Sequence, residues 1–183
     1  MKKFLLGACL FLSVSLALAQ IPKKTWQEVE LAVIQGNEAR TIELLQPWAE
    51  RGDARAQSLL GVVYYDDEGT VRDYAKAREW LEKAAAQGDA DAEFNLGVMY
   101  DEGDGVAQDY AKAREWWKKS AAQGNAAAQY SLGWIYYEGH GVAQDYARAR
   151  EWWEKAAAQT ENPKNIEVVR KARQALEQIR RER

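Results

Sequence analysis

The chain has 183 residues, with 28 Asp and Glu against 25 Lys and Arg, and a formal charge of -3 at pH 7. Residues 164–183 hold seven Lys and Arg against three acids, so the body that precedes them is acidic; this argues against nucleic acid as the main partner, because phosphate binding needs a basic footprint. One cysteine, Cys9, and one histidine, His140, exclude a disulfide framework and a Cys/His zinc cluster.

Residues 1–19 have the layout of a secretory signal peptide. Met1-Lys2-Lys3 is a basic start, Phe4 to Leu16 an apolar core, and Ala17-Leu18-Ala19 a small-x-small exit, with cleavage expected after Ala19. The apolar run is shorter than the ~20 residues that cross a bilayer as a helix, so no stable membrane anchor is expected after cleavage. Leu6-Gly7-Ala8-Cys9 has the form of a lipoprotein box, but it would leave an apolar region shorter than the usual ~7–15 residues. Cys9 is therefore expected to leave with the leader. Losing Lys2 and Lys3 takes the formal charge from -3 to -5. The mature chain is then free of cysteine and must be held by packing.

Residues 20–52 predict N-terminal capping helices. Thr25-Trp26-Gln27-Glu28 has the form of a capping box that starts a helix running to about Gln35. Gly36 ends it and Asn37 caps a second helix. Pro47 would remove the bond to the Glu43 carbonyl and kink or stop that helix.

Three copies of a 36-residue unit follow, at 53–88, 89–124 and 125–160. Stacked, Leu60 falls on Leu96 and Leu132, Gly61 on Gly97 and Gly133, Tyr64 on Tyr100 and Tyr136, and Trp80 on Trp116 and Trp152. A period of this length marks a solenoid of stacked supersecondary units. Each unit reads as helix, loop, helix. The first helix covers about 54–66, 90–101 and 126–138, with Asp53, Asp89 and Asn125 as N-caps and apolar residues at helical spacing, such as Ala92, Leu96, Met99 and Tyr100.

Gly61, Gly97 and Gly133 lie inside this helix, each at a loss of roughly 1 kcal/mol of helix propensity relative to alanine. A loss repeated in every copy predicts a packing reason, the close approach of a neighbouring helix. Gly103-Asp104-Gly105 and Gly139-His140-Gly141 suit positive φ in a tight connector. The first copy departs there, with Asp67 and Thr70. The second helix opens at the N-caps Asp73, Asp109 and Asp145, with Ala77, Leu81, Ala84 and Ala85 on one side. Strict periodicity places Trp80, Trp116 and Trp152 in the core. The repeat breaks at Thr160-Glu161-Asn162-Pro163. Residues 161–183 predict a capping helix over about 164–180, with Ile166, Val169, Ala172, Leu176 and Ile179 on one stripe.

These motifs, Ala-x-x-x-Leu-Gly-x-x-Tyr, Gly-x-Gly-Val, Asp-Tyr-x-Lys/Arg-Ala and Trp-x-x-Lys-Ala/Ser-Ala-x-Gln-Gly, resemble the Sel1-like repeat family of tetratricopeptide-like proteins. One position, Arg78, Arg114 and Arg150, is usually apolar in that family. The resemblance implies an all-α, right-handed superhelical solenoid of antiparallel helix pairs with N- and C-terminal capping helices. It also implies a concave groove and a scaffold or adaptor role, which in secreted bacterial members is often linked to the envelope or to host contact.

No catalytic motif stands out. His140 reads as a solvated loop residue. The mature serines Ser58, Ser120 and Ser131 begin no Ser-x-x-Lys and occupy no Gly-x-Ser-x-Gly. The acidic groups Asp66-Asp67-Glu68 and Asp101-Glu102-Gly103-Asp104 lack the alternating ligand spacing of a calcium loop. No cofactor and no metal are expected. The reading is an exported monomer, periplasmic or secreted, that binds a protein or peptide segment and is not an enzyme. Cell-wall glycan binding is the alternative, and a β-lactamase-like enzyme, as described for cysteine-rich members of the family, ranks lower.

The resemblance puts part of the first helix of each pair on the concave face. Positions there that vary between copies are the candidate binding residues: Asp91, Asn95 and Val98 in the second unit, Ser131 and Trp134 in the third. Trp134 stands where the other copies have Val62 and Val98.

Overall fold

The computed structural model of the protein describes residues 21–66, 71–160 and 162–181. The leader, Cys9 and the loop residues Asp67, Glu68 and Thr70 lie outside them. Nine α-helices are described: α1 Lys23–Ile34, α2 Glu38–Glu50, α3 Ala54–Tyr65, α4 Tyr74–Ala85, α5 Ala90–Glu102, α6 Tyr110–Ala122, α7 Ala126–Glu138, α8 Tyr146–Ala157 and α9 Ile166–Arg181. A 3-10 turn at Pro163–Asn165 precedes the last. Each helix packs chiefly on the next in sequence, most closely within the pairs α3–α4, α5–α6 and α7–α8. The fold is an all-helical solenoid of sequential pairs. Among the described residues no helix is long and apolar enough to cross a membrane.

The helices start where the short polar residues stand. Asp53, Asp89 and Asn125 accept from the backbone N–H of Ala56, Ala92 and Ala128. Asp73, Asp109 and Asp145 accept from those of Lys76, Lys112 and Arg148. Each bond satisfies one of the donors that a helix start leaves open. The connector is pinned too: the N–H of Asp73, Asp109 and Asp145 donates to the carbonyl of Tyr64, Tyr100 and Tyr136, in each case over 2.8 Å. Gly103, Gly105, Gly139 and Gly141 all take positive φ.

The repeated helical glycine is a notch. A Cβ on Gly61 would lie 2.5 Å from Leu81 Cγ, and one on Gly97 or Gly133 would collide with the indole of Trp117 or Trp153. These residues sit at one equivalent place in α4, α6 and α8, and all three are buried. The two indoles also donate through Nε1 to first-helix carbonyls, Trp117 to Phe94 at 3.1 Å and Trp153 to Tyr130 at 3.0 Å. The notch lets a large ring reach the backbone, so its one polar atom is buried without loss.

Several expectations are corrected. The core tryptophans are Trp117 and Trp153, whereas the strictly periodic Trp80, Trp116 and Trp152 are half-buried. Each of the latter lies under a lysine of its own helix, Lys83, Lys119 or Lys155, with the ammonium 4.0–4.2 Å from the ring centre. The first capping helix begins at Lys23, with Pro22 at its N-cap and no side-chain cap, so Thr25 lies within the first turn. Proline's fixed φ and missing N–H suit a helix start, and Pro22 displaces the start two residues upstream of the box. Pro47 does not stop α2, which runs on to Glu50. On α9 the buried stripe is Val169, Ala172, Ala175 and Ile179. Ile166, the first residue of the helix, is 67% exposed.

Candidate functional site

The side of the first helices left free by their own partners carries residues 55, 58, 59 and 62 in α3 and their equivalents 91, 94, 95 and 98 in α5. A cavity of about 420 Å³ opens on it. Its floor is apolar, from Trp26, Val29 and Val33 of α1 and Leu59 and Val62 of α3, and its rim is charged, with Glu30, Arg55, Asp89, Asp91 and Lys164. Arg55 stacks over Trp26, 4.0 Å from the ring centre. Lys164 comes from the turn before α9, so the C-terminal segment lines the same cavity as the N-terminal cap.

A second cavity, of about 250 Å³, lies between the second and third units, lined by Asp101, Trp117, Ser131, Trp134, Ile135 and His140. Trp134 is half-buried and held edge-on by Tyr130, Tyr137 and Trp153, with ring centres 5.2–6.3 Å away. His140 is exposed and stacks on Tyr110, centroid to centroid 4.7 Å. Burial pushes the Asp101 carboxyl above its ordinary value of 3.8; the neighbouring Glu102 adds to this and His140 opposes it.

The five candidate residues thus fall into three groups. Asp91 is exposed, lines the first cavity and accepts from Asn125 Nδ2 at 3.0 Å. Ser131 and Trp134 line the second. Asn95 and Val98 lie on α5 between them; Asn95 Nδ2 donates to the Asp91 carbonyl at 2.8 Å, and Val98 packs partly buried on the core around Trp117. Stepping back one repeat from Asp91, Asn95 and Val98 gives Arg55, Leu59 and Val62, which line the first cavity. Sequence reasoning stopped at the second unit and missed these three. It set Asp101 aside with its acidic group, although the stacked copies mark this position, since Tyr65 and Tyr137 hold the equivalent places.

Ser131, His140 and Asp101 share one cavity, but no hydrogen bond links the three among the described residues, whereas an activated serine needs a base within reach. Ser120 is fully buried and donates to the Ala90 carbonyl at 2.6 Å. Among the described residues no group of three or more His, Cys, Asp or Glu is placed to hold a metal ion.

Stacked helix pairs with a caps-and-notch grammar define a helical-repeat solenoid. Family comparison narrows this: the Sel1 repeat model matches residues 54–89, 90–125 and 126–160, and the chain belongs to the Sel1 repeat family, a scaffold family whose members are usually non-catalytic. A protective antigen of uropathogenic Escherichia coli strains is 40% identical, with a TM-score of 0.65 over 75% of this chain and 31% of that one. The present chain therefore spans under a third of that antigen. A Sel1 repeat protein from Oxalobacter formigenes is 41% identical, with a TM-score of 0.61 over 64% of this chain and 90% of that one. Helicobacter pylori cysteine rich protein B shares the fold at 18% identity, with a TM-score of 0.52 over 78% of this chain and 95% of that one. No curated protein matches the sequence.

Proposed function

We propose that the protein is an exported, non-catalytic scaffold of the bacterial envelope or host interface that holds a peptide or protein segment against its first-helix face. One observation carries this reading: equivalent positions of successive units, Arg55, Leu59 and Val62 with Asp91, line a cavity with an apolar floor and a charged rim. Small apolar pockets with a few convergent polar groups are the usual form of a binding site, and solenoids present such surfaces along their length. The leader-like residues 1–19 and the likeness to a protective antigen support export.

The test is selection of peptides from a displayed library on the protein that begins at Gln20. Val62→Gln and Asn95→Ala should weaken capture of the selected peptides at least severalfold while the melting curve stays within a few degrees of the parent. Capture by both variants at the parent's level would remove the groove from the function.

A further inference from the structure

Two departures from the repeat meet in one place. Position 101 is tyrosine in the other copies, and there its ring is used: the Tyr65 hydroxyl donates to Asp104 Oδ2 at 2.6 Å, and Tyr137 packs on Trp134 and Trp153. Position 134 is valine in the other copies. In the second unit the short Asp101 stands where those rings stand, and in the third Trp134 supplies a wall. The 250 Å³ cavity lies between them. We propose that this cavity receives a basic side chain, lysine or arginine, of the bound segment, held between the Asp101 carboxylate and the Trp134 indole. The proposal rests on the groove reading and adds the chemistry of one anchor.

The cavity's chemistry selects the cation. The Asp101 side chain makes no hydrogen bond or ion pair among the described residues, although burial and Glu102 both disfavour its charge. An apolar guest would strip more water from that carboxylate and give nothing back, and an anion would be repelled. His140 offsets the cost of that charge only in part, so a cation supplies the rest of the counter-charge and is attracted by an indole as well. Trp134 is already fixed by three aromatic neighbours, so little is lost in ordering it. The acidic body favours the approach of a basic segment over the distance that salt allows.

The experiment follows the indole N–H resonances of the protein by NMR during titration with N-acetyl-lysine-N-methylamide and with its norleucine counterpart. The lysine probe should shift the Trp134 resonance saturably, and the norleucine probe should not. Asp101→Asn should weaken the lysine probe by about tenfold. Trp134→Val, which restores the residue of the other copies, should do the same as read at the Trp117 indole. Equal response to both probes, or an unchanged response in Asp101→Asn, overturns the proposal. Peptides selected without preference for a basic residue, with the lysine probe silent, remove this site and leave the groove reading standing. Saturable lysine binding with no peptide captured does the reverse.

Discussion

Gly97 carries more of the structure than its size implies. Any side chain there meets the Trp117 indole, and that indole is held by its bond to the Phe94 carbonyl. Gly97→Leu gains up to about 1 kcal/mol of helix propensity, but overpacking a fixed ring costs about 1–3 kcal/mol. The variant should unfold at lower urea than the parent; an equal or higher midpoint would mean the ring can move aside. The glycine was legible in the sequence as a repeated loss. The ring that fills the notch was not, because a 36-residue period marks which residues are equivalent and leaves open which of two adjacent tryptophans points inward. Asp101 gives a second prediction at this scale. Its folded value lies above 3.8, so between 3.8 and that value the folded chain keeps a proton the unfolded chain has released. Stability therefore falls as pH rises through this window, and the full penalty persists above it. Asp101→Asn should melt higher than the parent at pH 7, with the gap closing as pH falls below 3.8, measured by thermal circular dichroism.

At the scale of the helix, two N-caps of different charge separate hydrogen bonding from titration. The Asp109 carboxyl is held below its ordinary 3.8, first by the Lys112 backbone N–H it accepts from and also by the Lys112 ammonium. A lowered folded value stabilises fully above 3.8, and the gain is lost as pH falls through the folded value. Asp109→Ala should therefore lower the melting temperature at pH 7 and lose most of that effect at the acid end of this window. Asn125 caps α7 with no charge of its own. Asn125→Ala should lose about 1 kcal/mol in urea unfolding. Helix starts were read well because a cap is local chemistry: one side chain and a backbone N–H three residues on. The exceptions share a cause. At Thr25 the local signal was present, and Pro22, with its own geometric demand, took the start instead. At Pro47 only the last turn lies beyond the proline, and α2 keeps it, with Ala49 buried against the core.

For the whole molecule, stability is a sum of stacked contacts, and the ends are where the sum is open. Tyr136, Ala149, Trp153 and Ala156 are buried with Ala172, Ala175 and Ile179 of α9. A chain ending at Thr160 should expose that cluster and show dye binding and a melting point lower by several degrees, both absent from the full chain. The other end is less sealed: Leu31 is 54% and Ile34 82% exposed on α1. The arrangement of pairs was legible from periodicity, because every copy repeats the same packing problem. The binding face was legible only in part. Departures from the repeat name residues, while the cavity they build depends on which departures become neighbours.

That neighbour relation has a consequence for how such chains diversify. Asp101 belongs to one unit, Trp134 to the next, and the space between them to neither. The notch and the caps recur in all three copies, so the units are interchangeable as building blocks. Their order is not. Exchanging the second and third copies would keep the composition and the helix pairs, yet would set a tyrosine beside a valine at that junction and close the space. In an array of near-identical parts, succession itself becomes heritable information, and recombination between copies can change what a surface recognises without altering a single residue type.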